Sequence, residues 1–237
     1  MINAAGFPVA DASSGALVCT VSGMRVSANA RDAHVALVQK RKNGPLLSSV
    51  VAVSLLSWLG SERLMADELL TIDDRGSGAL AATLGGSWRM VTDGVMGGVS
   101  SGTLSLDSID GTACLRLQGD VRLENNGGFI QAALDIKDTQ AADASGYTGL
   151  LLDVYGNGQE YNLHLRTDDV WLPWQAYRAS FLAPARWETV RLPFSAFEGY
   201  RIGRKLDVEH LERIGLVAIG RAFRADLCIA KVALYRG

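Results

Sequence analysis

Short runs of alternating apolar and polar residues dominate the chain from about residue 87 onward. A period of two puts successive side chains on opposite faces of a strand. Leu115 and Leu117 alternate with Arg116 and Gln118. Ile130, Ala132, Leu134 and Ile136 share one face, opposite Gln131 and Asp135. Leu150, Leu152 and Val154 make the next such face, and Tyr161, Leu163 and Leu165 alternate with Asn162, His164 and Arg166. Further runs cover 187–194, closed by Pro193, then 214–219 and 227–235. Turn formers separate them: Asp110-Gly111, Asn126-Gly127-Gly128, Gly156-Asn157-Gly158 and Gly199. One short helix is expected, over 206–213, with Asp207 as its cap. Many short strands and almost no helix predict an all-β sandwich over 87–237.

The first 66 residues follow a different pattern. Residues 1–39 are rich in Ala, Ser and Val and show no sustained period. Lys40-Arg41-Lys42 is a compact positive cluster, 46–59 carries no charge, and a small residue, Ala66, follows shortly after. A basic region, a short apolar region and a small residue at the cut describe a secretory signal peptide. The run is short of the ~20 residues that cross a bilayer, yet an uncleaved anchor and a buried core helix stay open as alternatives. Met24 offers a later start of translation, which would shorten the overhang before the basic cluster. The expected protein is exported, to the periplasm or outside the cell, and touches membrane only through this segment. Residues 67–86, with Gly76, Gly78, Gly85 and Gly86, read as a linker or an edge strand.

Composition narrows the function. Apolar residues make up 48% and charged residues 20%, which excludes wholesale disorder. The net charge of −2 hides an asymmetry: 1–66 holds six basic and three acidic residues, 67–237 seventeen and twenty-two. The acidic part lacks the basic face that phosphate neutralisation needs, so no nucleic-acid partner is expected. The histidines His34, His164 and His210 are far apart and no His/Cys spacing fits zinc, so neither metal nor cofactor is expected. His164 reads as a surface or groove histidine. No Gly-x-Ser-x-Gly elbow occurs, and Val and Ser stand after Gly97-Gly98 where a phosphate loop needs Lys. Asp93, Glu124, Asp153, Asp168 and Asp169 would serve glycoside hydrolysis only if two of them converged. No catalytic residue is assigned. Cys114 shares the face of Arg116, whereas Cys228 falls with Ala230, Val232 and Leu234 in a core row, so the two are expected to stay unpaired. Trp171, Trp174 and Tyr177 cluster after Asp168-Asp169 and could stack on a sugar or anchor a protein.

Four segments carry a resemblance. They are Trp88-Arg89-Met90-Val91-Thr92-Asp93-Gly94-Val95-Met96-Gly97-Gly98-Val99-Ser100, Leu123-Glu124-Asn125-Asn126-Gly127-Gly128-Phe129, 152–161 and 187–194 with Phe197. In this order they resemble the complex I intermediate-associated protein 30 family. The resemblance implies a galactose-binding-like jelly-roll sandwich, similar to carbohydrate-binding modules, and no catalytic residues. Its mitochondrial relatives assist assembly of respiratory complex I by binding its intermediates. Locally, Asp93 can accept backbone N–H bonds inside its glycine-rich loop, and Gly127-Gly128 implies a bulge or tight turn before Phe129. Candidate contacts to a ligand or partner are Asp93, Met96, Glu124, Asn125, Asn126, Tyr155, Tyr161, Arg166, Trp171, Trp174 and Tyr177. Two classes of function follow: a protein-interaction module, with respiratory-complex subunits as the implied partners, and a glycan-binding module of an exported protein.

Overall fold

The computed structural model describes residues 16–21, 24–29 and 69–237, which belong to two units, Met1–Gly60 and Ser61–Gly237. In the first, β1 (Ala16–Val21) and β2 (Met24–Asn29) pair antiparallel. The basic cluster, the apolar run and the expected cleavage site, 40–66, lie outside the described residues.

Among its described residues the second unit holds twelve strands: β3 (Leu69–Asp73), β4 (Arg89–Thr92), β5 (Ser101–Ile109), β6 (Thr112–Val121), β7 (Phe129–Asp135), β8 (Gly149–Gly156), β9 (Gln159–Thr167), β10 (Ala176–Ala183), β11 (Glu188–Pro193), β12 (Glu198–Tyr200), β13 (Leu211–Ile219) and β14 (Phe223–Tyr235). They form two antiparallel sheets. The front sheet runs β12-β10-β9-β13-β7-β4, and the back sheet runs β11-β8-β14-β6-β5, with β3 also paired to β14. The predicted rows face each other between them. Ile130, Ala132 and Leu134 and then Tyr161, Leu163 and Leu165 meet Leu115 and Leu117, Leu150, Leu152 and Val154, all buried. Burying each large apolar side chain contributes about 1.5–3 kcal/mol, so the closed sandwich follows from the alternation itself.

Three expectations need correction. The segment 206–213 forms no helix. Asp207 does accept the N–H of Glu209 (2.9 Å), but the chain from Leu211 enters β13, where both β7 and β9 take its hydrogen bonds. Among the described residues, helical geometry is confined to short 3-10 turns, such as Asp93–Met96 and Glu124–Asn126. Next, of the two readings of 67–86 the structure favours the edge strand over the linker, so the sandwich starts ahead of residue 87. β3 is a paired strand, and Trp88 Nε1 donates to Asp73 Oδ2 (2.6 Å), which also pairs with Arg75 (3.2 Å), all three residues being buried.

The third correction is the cysteines, which form a disulfide, Cys114–Cys228, with Cα atoms 5.5 Å apart. A bulge in β14 explains the misreading. Ile229 pairs with Val154 and Lys231 with Asp153, so Ala230 is an extra residue. The bulge reverses the alternation: Leu227 and Ile229 point into the core before it, Val232 and Leu234 after it. Cys228 therefore faces outward opposite Arg116, on the same face as Cys114.

Candidate functional site

The outer surface of the front sheet is hollowed into a groove of about 560 Å³. Its floor is set by cross-strand register. Gly215 of β13 lies between Ala133 of β7 and His164 of β9, and His164 lies opposite Arg178 of β10. Gly215 gives the floor its depth, because any Cβ there would run into the amide of Gln131. Its walls are the loop 168–175 on one side and the loops around Val95–Met96 and Gly127–Gly128 on the other.

Arg166 builds the first wall. Its Nη1 donates to the carbonyls of Leu172 (3.0 Å) and Gln175 (2.9 Å), and its Nη2 to that of Val170 (2.9 Å). Gln175 closes the loop, accepting from Leu172 N–H (3.1 Å) and donating to Arg201 O (2.8 Å). The loop so pinned presents Trp171, 86% exposed, and Trp174, 43% exposed. Arg166 is thus a positioning residue, and burial followed by the charge of Arg213 lowers its pKa.

Asp93 builds the second wall from beneath. It is fully buried and accepts from Ser100 N–H (2.9 Å), Ser100 Oγ (2.5 Å), Gly128 N–H (2.5 Å) and Phe129 N–H (3.3 Å). Burial pushes its pKa up, but these hydrogen bonds outweigh burial and hold it below the usual range. Gly98 and Gly127 are required there, since a Cβ at either would strike the Asp93 carboxylate. The two glycine-rich motifs are therefore one structure, tied through one carboxylate.

The structure sorts the expected contact residues. Met96, Arg166, Trp171 and Trp174 line the groove together. Glu124 and Asn125 are exposed in the neighbouring 3-10 turn, where Glu124 pairs with Arg122 (2.5 Å), which lowers its pKa, and Asn125 takes a left-handed φ of 59°. Asn126 belongs to the same turn. Asp93 is buried and so corrected from contact to scaffold. Tyr161 and Tyr177 are corrected likewise: both are core, their hydroxyls donating to Asn157 Oδ1 (2.8 Å) and Lys205 O (3.1 Å). Tyr155 lies outside the back sheet, edge-on to Trp187 at 5.7 Å, remote from the groove. Three of the five carboxylates lie in separate settings: Asp153 is on the back sheet, Asp93 is buried, and Asp169 faces Arg204 (3.8 Å).

Gln131, Arg178, Tyr200 and Arg213 line the groove without having been anticipated as contacts, and His164 gains a definite setting. Only 8% of His164 is exposed, and its Nε2 has no hydrogen-bond partner. Burial, with Arg178 and Arg166 on either side, pushes its pKa down to about 3, so the ring is neutral at physiological pH. No carboxylate lines the groove to offset those charges. An unfolded His titrates near 6.5, so the unfolded chain binds the extra proton between pH 6.5 and 3, and stability falls as pH falls through that window. Each unit is worth about 1.4 kcal/mol per proton. His164→Phe should therefore lose roughly 2 kcal/mol less than the natural protein between pH 7 and pH 5, read by urea unfolding. Equal losses would mean that His164 titrates normally.

Fold and site together define a β-sandwich domain with a groove on the outer face of its front sheet. The family model for complex I intermediate-associated protein 30 matches residues 82–228, more than half of the chain, and the chain belongs to that family. No curated protein sequence matches it. Among solved structures it is similar to the family 11 carbohydrate-binding module of a cellulosomal cellulase of Clostridium thermocellum (TM-score 0.58, 13% identity, covering 73% of this chain and 96% of that one). It is also similar to the family 11 module from Clostridium thermocellum in complex with a β-1,3-1,4-mixed-linked tetrasaccharide (TM-score 0.57, 12% identity, 71% and 96%). At these identities the likeness is one of fold.

Proposed function

We propose that the domain is a non-catalytic binding module that takes an oligosaccharide in the groove of the front sheet. The observation that carries this reading is the wall of Trp171 and Trp174, held rigid by Arg166 above a floor of polar side chains. Exposed flat rings offer sugar faces a large contact at small entropic cost, because the loop is already ordered. Polar groups such as Gln131 and Gln175 fix hydroxyl orientation. A module of the same fold is known in complex with a tetrasaccharide, which supports the assignment by analogy. Trp171→Ala should weaken binding to a glycan array hit by about 10-fold or more and leave the melting temperature unchanged. No binding to any glycan at millimolar concentration would remove the reading.

A second reading has its own observation. Val95, Met96, Val99 and Leu123 are exposed where the Asp93-tied loops meet, an apolar end suited to a protein partner. The family membership supports it, with respiratory-complex subunits as the partner class. Val99→Asp with Leu123→Asp, at two exposed positions that do not line the groove, should then abolish association with those subunits while sparing glycan binding. The Cys114–Cys228 disulfide favours an oxidising compartment, in keeping with export.

A further inference from the structure

The groove is cationic although its domain is acidic. Arg166, Arg178 and Arg213 line it beside the neutral His164, and no Asp or Glu does. Two of the three arginines are already engaged. Arg213 Nε donates to Asp135 Oδ1 (2.5 Å), and Arg166 is spent on four carbonyls of the loop. Arg178 is different. Among the described residues its one hydrogen bond is long, Nη2 to Trp174 O (3.3 Å), and it pairs with no carboxylate. Its cross-strand neighbour Glu198 is exposed and makes no ion pair with it. The ring of Tyr200, 3.6 Å from the guanidinium carbon, fixes the group in place.

Two polar atoms in the floor lack partners, Arg178 Nε and His164 Nε2. They belong to directly opposed residues of β9 and β10, so their Cβ atoms lie ~5 Å apart. Arg178 Nε is a buried donor without an acceptor, a cost to the free protein that a ligand acceptor removes. A neutral sugar hydroxyl would satisfy it without bringing any charge. A carboxylate carries two acceptor oxygens in the plane that a guanidinium matches, and brings the opposing charge that Arg178 lacks.

We infer that the groove is selective for an acidic oligosaccharide, with a uronate carboxylate seated against Arg178 and His164 and the sugar rings against Trp171 and Trp174. The inference rests on the oligosaccharide reading above and adds the charge of the ligand. Desolvation already lowers the pKa of Arg178, consistent with a cation held short of water and of counter-charge.

The test is titration calorimetry of the full chain with tetragalacturonate, the carboxyl-reduced tetrasaccharide, a sulfated tetrasaccharide and hexaglutamate at one ionic strength. The uronate should bind about 10- to 100-fold more tightly than its reduced form, the difference shrinking as salt is raised. Arg178→Gln should abolish that difference, whereas Trp171→Ala, at an exposed position that the fold does not use, should weaken both sugars. Equal affinity for uronate and reduced sugar, or preference for the sulfated one, would overturn the inference while leaving the oligosaccharide reading standing. Binding of hexaglutamate as tight as that of the uronate would overturn the inference too. If neither sugar binds, both readings fall.

Discussion

Replacing Asp93 with alanine is expected to destabilise the sandwich by about 3–5 kcal/mol, the largest single effect of any polar substitution here. The carboxylate accepts four hydrogen bonds in a fully buried position. A net hydrogen bond to a charged group contributes about 1.5–3 kcal/mol, and each buried donor left open costs about 1–3 kcal/mol. These are not additive, because the two loops relax together once untied. Asp93→Asn should recover little, since its amide would point N–H groups at N–H groups. The contribution is present at neutral pH and lost as pH falls through the depressed pKa of the carboxylate, below about 3.8. Urea unfolding of the variants reads the effect directly. A loss under about 1 kcal/mol would mean that the loops are held by something other than Asp93.

Opening the Cys114–Cys228 bridge comes second. The bond closes a separation of 114 residues. The chain-entropy account gives about 4.7 kcal/mol for a loop near that length, and measured losses run about 2–5 kcal/mol. The double variant Cys114→Ala and Cys228→Ala should lose stability in that range. Alanine is the right replacement because both sites are buried and a serine hydroxyl would lack partners. Reducing agent should lower the melting point of the natural protein and leave the double variant unmoved. Thiol titration of the unfolded, unreduced chain should find at most one free thiol, that of Cys19, because Cys114 and Cys228 are paired.

Much of this architecture was legible in the chain, and the failures have physical causes. The rows on β7, β8 and β9 read correctly because a sheet with one buried face writes strict alternation into its sequence. Cys228 was misplaced by a single residue, Ala230, whose bulge no period-two reading detects. The 206–213 helix failed because a local cap signal at Asp207 competes with two flanking strands that need partners. The aromatic cluster divides between a loop and a strand. Trp171 and Trp174 sit in a loop and face out, while Tyr177, already in β10, alternates inward with Ala179 and Phe181. Had β10 been anticipated, the same alternation would have put Arg178 on the groove face beside His164. Asp93 is buried, and its glycine-rich setting serves packing of the groove wall.

The central claim is that the front-sheet groove is where this domain binds. It is tested most directly by titrating the isotopically labelled full chain with an oligosaccharide and following its amide resonances. The account predicts shifts concentrated at Gln131, His164, Trp171, Trp174, Arg178 and Gly215, with the back sheet silent. Shifts centred on Asp153, Tyr155 and Trp187 outside the back sheet would contradict it.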